Sequence, residues 1–558
     1  MKLKSLLLAC SLSLPMAGLF SQTSVPDNWQ LLDNSADGFM GVSANKLYDS
    51  LPKDKKAETV VVAVIDGGVD YEHEDLKDVM WKNPGEIAGN GIDDDHNGYV
   101  DDVYGWNFIG GKDGQNVHHD QLEITRLVVK YQEQYKNVDP AKLSKKEKKA
   151  YDHYKELEKT VKDEQHKAEN NVAMYTGILE SVNSVVEAIG KEEPTAEDLQ
   201  NYETENPALL QASKILSSMI SDGATIAEVR EQIQGGVDYF GGQAEYNYNT
   251  ELSVRSLVGD NYADSYERNY GNNDVKGPDA SHGTHVAGII AAKRGNDVGM
   301  DGIADHVKIM AVRCVPDGDE RDKDVANAII YAVDNGASVI NMSFGKGYAW
   351  DKTAVDKAVK YAKKHDVLLV HAAGNSSQDN DNTDNFPNDQ YAKHGLFGAK
   401  KAKNWVEVGA LSWKGGEDAA ASFSNYGKEN VDLFAPGLDI YSTIPGNGYA
   451  KFSGTSMASP VVAGVAALIR SYYPNLTAEQ VKDVMMSSTV RAKDVVNVKK
   501  PGSDGELVPF TDLSITGGVV NVYEAMKKAG TIKGKKKSSK NGHDGGGING
   551  KDGKKGRA

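Results

Sequence analysis

The run Val60-Val61-Val62-Ala63-Val64-Ile65 is apolar at every position, and Val367-Leu368-Leu369-Val370 repeats the pattern far down the chain. Runs of this length suit strands buried on both faces, and the stretches that follow them have helical periodicity. Over residues 59–118 and 276–530 short apolar runs alternate with amphipathic stretches in this way. The alternation is that of βαβ units, and it predicts an α/β fold with a mostly parallel central sheet.

Residues 119–246 interrupt this pattern with an all-α insertion. Ser144 and Glu147 have the spacing of a capping box that opens a long helix. From there Ala150, Tyr154, Leu157, Val161, Gln165, Ala168, Val172, Tyr175, Leu179, Val182, Val186 and Ile189 alternate spacings of four and three, a heptad seam with one polar member. Gly190 and Pro194 end it, and Thr195, Asn206 and Thr225 are placed to cap further helices. At 1.5 Å per residue the first helix extends about 70 Å. So long a seam must be covered, either by the insertion's other helices as an intramolecular hairpin or by another chain.

The ends of the chain carry different signals. Residues 1–21 read as a secretory signal, with Lys2 and Lys4 at the charged start, an apolar stretch from Leu6 to Phe20, and Ser21 before Gln22. Lipidation at Cys10 is the alternative, opposed by the apolar run that continues past it. An N-terminal extension follows over 22–58, and the Gly- and Lys-rich tail 531–558 has nothing with which to bury a core. No other segment approaches the ~20 apolar residues of a membrane span. Of two cysteines, Cys314 alone lies beyond the leader, so no intrachain disulfide is available to the exported chain. The formal net charge of −17 argues against a nucleic-acid partner, which needs a basic face.

Three segments carry chemistry, in the order aspartate, histidine, serine. In Val64-Ile65-Asp66-Gly67-Gly68-Val69 a buried strand runs into a carboxylate and two glycines, which puts Asp66 at a sheet's carboxyl edge. An ordinary Asp-Gly turn reads the same way. In His282-Gly283-Thr284-His285-Val286-Ala287-Gly288 small residues let a helix start close-packed with an imidazole facing a cleft. The two histidines lack the flanking carboxylate of a metal motif. In Gly454-Thr455-Ser456-Met457-Ala458-Ser459-Pro460 a serine precedes a helix of small apolar residues. It is equally a helix cap and a nucleophile placed among first-turn amides.

Together these segments resemble the three signatures of the subtilisin-like serine protease family (subtilases, peptidase S8), in that family's own order. The resemblance covers roughly residues 59–118 and 255–530, within a predicted peptidase domain of 59–118 and 247–530, but neither the insertion nor the tail. It implies a three-layer subtilisin-like fold and a serine endopeptidase exported by a bacterium to its envelope or surroundings. Ser456 is then the nucleophile, His282 the general base and acid, and Asp66 the group that orients the imidazole. Asn375, in His371-Ala372-Ala373-Gly374-Asn375, matches the oxyanion-hole asparagine. Val339-Ile340-Asn341-Met342-Ser343-Phe344-Gly345 resembles the substrate-binding strand, with Ser343, Phe344, Gly345 and Gly374 contacting an extended peptide. Two departures stand out. Gly67 replaces the usual Ser or Thr, which loosens the surroundings of Asp66. Fewer than 45 residues separate Gln22 from Asp66, too few for the usual inhibitory propeptide. The insertion is the candidate to replace it, by covering the cleft or contacting a partner.

Calcium is expected at two places. Asp93, Asp95, Asn97, the Tyr99 carbonyl and Asp101 follow the first half of an EF-hand loop, with Gly98 at the sharp turn and no terminal glutamate. By resemblance, Asp75 and Asn296, with carbonyls of Arg294, Val298 and Met300, form the family's strong site. The competing class is a catalytically silent scaffold whose insertion binds a partner. An intact Asp66, His282, Ser456 and Asn375 set argues against it.

Overall fold

A computed structural model describes residues 25–535 apart from 53, 222, 394–397 and 494. The expected leader 1–21 with Cys10, and the tail from 536 onward, lie outside the described residues.

Seven parallel strands form the central sheet: β1 (Val60–Asp66), β2 (Gly105–Asn107), β3 (Val307–Arg313), β4 (Val339–Met342), β5 (Leu368–Ala372), β6 (Trp405–Leu411) and β7 (Leu433–Pro436), in the spatial order β2-β3-β1-β4-β5-β6-β7. An antiparallel hairpin, β8 (Ile440–Ile444) with β9 (Gly448–Phe452), stands apart from it. The apolar run read from the sequence is β1, and its alternate residues face opposite ways. Val62 and Val64 enter one apolar cluster, Ala63 and Ile65 the other. Both faces are therefore covered, which explains why the run has no polar member.

The winding reverses at β1, which pairs with β3 on one side and β4 on the other, with Asp66 opposite Arg313 and Ile65 opposite Met342. Because all seven strands are parallel, the carboxyl ends of β1, β4 and β5 share one edge. A crevice at such a switch point is where open α/β sheets place their ligands.

The insertion begins with α1 (Glu123–Tyr135) and α2 (Lys145–Ile189), and continues through α3 (Pro207–Ser221) and α4 (Ile226–Gly242). In α2, Ser144 and Glu147 form the reciprocal capping box, and Gly190, at φ 72°, closes the other end. Thr195 and Thr225 cap the helices they precede, and Asn206 accepts from the Ala208 amide. The seam is covered from within the chain. Ile124, Leu127 and Val128 of α1 pack on Tyr154, Leu157 and Val161, while Leu216, Ile226 and Val229 pack on Val182 and Val186. The polar member, Gln165, donates to the Ala244 carbonyl at 3.3 Å.

Four further helices flank the sheet: α5 (Ser281–Ala291), α6 (Asp322–Asp334), α7 (Lys352–Lys364) and α8 (Thr455–Tyr472). Helices α5 and α8 share a cluster with Val62 and Val64, while α6 and α7 pack with Ala63 and Ile65. Helix α8 is built of small residues because its neighbours are close; a Cβ on Gly464 would lie 2.6 Å from the Ile303 Cβ.

The segment before β1 belongs to the same core. Trp29 is fully buried and donates its indole N–H to the Leu438 carbonyl, and Val42 and Leu47 join the cluster around α8. Among the described residues no helix is long and apolar enough to cross a membrane.

Candidate active site

Asp66 is the last residue of β1, where the chain must turn at once. Gly68 makes that turn at φ 146°, and a Cβ there would lie 2.1 Å from the Lys276 carbonyl oxygen. His282 is the second residue of α5, and Gly283 lets that helix come close, since its Cβ would stand 2.1 Å from the Gly68 oxygen. The result is a direct contact. His282 Nδ1 lies 2.8 Å from Asp66 Oδ1 and 3.0 Å from Oδ2. The Gly67 amide donates to Asp66 Oδ1 at 2.7 Å.

Asp66 is nearly buried, whereas the His282 side chain is 43% exposed. Loss of hydration pulls the His282 pKa down. The Asp66 charge and hydrogen bond, with Asp279 assisting, outweigh it and hold the pKa above its ordinary value. With Nδ1 engaged, Nε2 is the nitrogen left for proton exchange.

Ser456 is the second residue of α8, so its amide is one of the first-turn donors without an intrahelical acceptor. Its hydroxyl donates to the Ser343 carbonyl at 3.0 Å, and its own carbonyl accepts from Ser343 Oγ at 2.9 Å. Behind Ser343 a buried relay continues through Asn341 Nδ2 at 2.9 Å and on to Ser459 Oγ, which donates to Asn341 Oδ1 at 2.7 Å. The start of α8 is thereby locked to the end of β4.

Asn375 follows β5 and meets the same helix start. Its Oδ1 accepts from Thr455 N–H at 2.8 Å and Thr455 Oγ1 at 2.9 Å, which turns Nδ2 the other way. Gly374 adopts φ 107° and donates to Thr455 Oγ1 at 3.1 Å; a Cβ would stand 2.5 Å from Asn425 Nδ2. A cleft of about 320 Å³ is lined by Asp66 and His282, with Val315, Pro316 and Asp317 from the chain after β3 on one side and Ser343 and Phe344 from the chain after β4 on the other. Gly345 continues the second wall, where a Cβ would meet Asn385 Oδ1 at 2.6 Å.

His285 lies outside this chemistry. It stacks on Phe452, its Nε2 is 3.1 Å from the Ala450 carbonyl, and burial pushes its pKa down to about 4. It is a neutral core histidine. Tyr246, at the end of the insertion, stacks on His119, the neighbour of the cleft residue His118.

The acidic loop differs from the EF-hand pattern. Asp93 closes its own turn by accepting from Asn97 and Gly98 amides. Asp101 has φ 53°, and its carboxylate accepts from the amides of Gly89, Asn90 and Gly91. The convergent oxygens belong instead to Glu86, Asp95 and Asp102, all within 4.8 Å of one another. Asn97 Nδ2 donates to both Asp95 and Asp102. Burial first, with Asp95 adding to it, pushes the Asp102 pKa up to about 7 despite bonds from Tyr331, Asn83 and Asn97.

The second expected site is assembled more fully. Asp75 is buried, its Oδ1 accepting from Asn296 Nδ2 at 2.8 Å and its Oδ2 from the Met300 amide at 3.2 Å. Beside them a depression of about 330 Å³ is lined by Asn296, Val298, Met300 and Gln30. Gln30 Oε1 is buried with no hydrogen-bond partner among the described residues, which is costly unless something else satisfies it. Gln30 was not singled out from sequence, since one amide oxygen from a distant segment leaves no local pattern.

Comparison with known proteins decides the family. The model of the subtilase family matches residues 57–512. The chain belongs to the subtilase family. Similar curated proteins include a thermophilic serine proteinase of Bacillus sp. (strain AK1), 45% identical over 192 residues, which are 34% of this chain and 43% of that one. Subtilisin DY of Bacillus licheniformis is 40% identical over 38% of this subtilase and 72% of its own length. For subtilisin E of Bacillus subtilis (strain 168) the figures are 39% identity, 38% and 50%. This subtilase thus spans about half the length of several curated relatives it matches.

Proposed function

We propose that this subtilase is an exported, calcium-stabilised serine endopeptidase that cleaves peptide bonds through an acyl-enzyme. The observation that carries the reading is the 2.8 Å contact of His282 Nδ1 with the nearly buried Asp66, at the sheet edge that also holds Ser456 and Asn375. A buried carboxylate against an exposed imidazole fixes the tautomer and supports the imidazolium.

An extended peptide adds as a strand along Ser343, Phe344 and Gly345, with Gly374 beside it. Its N–H takes the Ser343 carbonyl that the Ser456 hydroxyl now occupies. The Ser456 hydroxyl then turns to His282 Nε2 as its acceptor. Ser456 Oγ attacks the scissile carbonyl while Nε2 takes its proton, and the oxyanion meets Asn375 Nδ2 and the Ser456 amide. The C–N bond then breaks, His282 gives the proton to the leaving amine, and the acyl group stays on Ser456. Water, deprotonated by His282, attacks that ester; the acid departs and the serine regains its proton.

Calcium is assigned to the Asp75, Asn296 and Gln30 region, where a carboxylate, two carboxamides and backbone carbonyls offer the oxygen ligands a hard cation takes. The Glu86, Asp95 and Asp102 trio is the second candidate. For a chain with a single cysteine beyond its leader, such ions are the available staple.

The test is casein proteolysis by purified protein in calcium. Turnover that Ser456→Ala abolishes supports the reading; turnover that survives that substitution overturns it.

A further inference from the structure

Both walls of the cleft run on into residues held by one helix of the insertion. After Phe344 and Gly345 comes Lys346, almost fully buried, whose Nζ lies 2.7 Å from Glu123 Oε2 and 2.8 Å from Asp322 Oδ1. It also donates to the Glu320 carbonyl. After Val315, Pro316 and Asp317 comes the segment Gly318-Asp319-Glu320. Arg126 donates there to the Asp319 carbonyl at 3.0 Å and the Glu320 carbonyl at 3.2 Å. Glu123 and Arg126 are three residues apart on α1 and paired with each other at 2.8 Å, and the Glu123 amide donates to Asp319 Oδ2 at 2.7 Å. Asp120, bonded to Arg321 at 2.7 Å, completes the cluster.

Glu123 and Arg126 are themselves buried, although charged residues at that depth are expensive. The apolar face of α1, Ile124, Leu127 and Val128, is taken up mainly by α2, so the charged residues are what join this helix to the two walls. The ion pairs add direction. They tie a specific point on each wall to a rigid helix, which fixes the spacing across which a peptide must lie.

We propose that Glu123 and Arg126 form a staple that sets the width of the substrate cleft, with Glu123 positioning the substrate strand through Lys346. The insertion is then a positioning element for extended substrates. This rests on the endopeptidase reading above, and only the non-covalent geometry of the cleft is involved.

The experiment compares the intact chain with Glu123→Gln on two substrates: an extended peptide p-nitroanilide filling the cleft, and p-nitrophenyl acetate, which is too small to pair with the strand. Rates are normalised to active sites titrated with a fluorophosphonate, so a variant that folds poorly reads only on its folded fraction. The ratio of peptide to ester kcat/KM falls at least tenfold, mainly through KM, and Glu123→Asp, which keeps the charge, recovers part of it. Glu123→Asp also carries the test alone if the Gln variant gives no titratable protein. Equal peptide-to-ester ratios in variant and parent, whether both rates fall or neither does, would overturn the staple. A parent protein inactive on both substrates would instead overturn the endopeptidase reading.

Discussion

Asn375 Oδ1 is held at 2.8 Å by the Thr455 amide, one residue before Ser456. The bond couples the loop after β5 to the start of α8 and orients the side chain by its oxygen, leaving the carboxamide N–H₂ as a donor. Thr455 Oγ1 reinforces this by donating to the same oxygen while accepting from Gly374 N–H. Asn375→Ala is expected to lower kcat by about 100- to 1000-fold with little change in KM. That magnitude is the one known for subtilisin itself and is carried over from it. Steady-state kinetics on a peptide anilide check it, and a loss confined to KM would contradict the assigned role.

The same bonds make Thr455→Val informative. The backbone bond survives while both Oγ1 bonds disappear, so Asn375 keeps its oxygen anchor but loses half its hold. A fall in kcat of roughly tenfold, near the ~1 kcal/mol to 1.5 kcal/mol of one net hydrogen bond, is expected. The fall is smaller than for Asn375→Ala.

The pH profile follows from His282. The imidazole must be neutral to accept the Ser456 proton, and its pKa is held above the ordinary value by Asp66 and Asp279 against the pull of desolvation. Activity therefore climbs with pH, with the inflection in kcat/KM above the usual histidine value of about 6.5. Asp66→Asn removes the main support, so the inflection moves to lower pH while the rate drops by about 10⁴-fold. An unchanged inflection in that variant would contradict the electrostatic account.

Calcium binding to the folded state alone raises stability by about 2.7 kcal/mol at a hundredfold excess over Kd. For a domain of this size that corresponds to a Tm shift of roughly 3 °C. Chelation is expected to remove it, and Gln30→Ala or Asp75→Asn to make the protein largely indifferent to chelator. Scanning calorimetry with and without the chelator decides the matter.

Gly283→Ala tests the packing that brings the pair together. A Cβ there would stand 2.1 Å from the Gly68 oxygen and 3.1 Å from the Asp66 Cβ. Helix α5 must then move away from β1, at a cost of about 1–3 kcal/mol in stability. Activity should fall by more than the loss of folded protein explains, because His282 retreats from Asp66.

How much of this was legible in the sequence depended on whether the signal is local. Val60 to Ile65 shows its double burial in its own composition, and α2 shows both ends through Ser144, Glu147 and Gly190. The settings of Asp66, His282 and Ser456 were readable because each needs glycine or small neighbours for a physical reason now visible in the close contacts of Gly68 and Gly283. Register within the acidic loop was not readable. Asp101 and Asp102 are adjacent carboxylates, and it is Asp102 that groups with Glu86 and Asp95. Gln30 and the Glu123–Lys346 pair were invisible for another reason: their partners are remote in sequence, and no periodicity marks them.

The most direct test of the central claim is the site of covalent modification. Treatment with phenylmethylsulfonyl fluoride followed by peptide mass spectrometry should place one adduct on Ser456, with proteolysis lost in proportion to labelling. Full proteolytic activity in protein quantitatively labelled at Ser456, or stoichiometric inactivating label on a different residue, would contradict it.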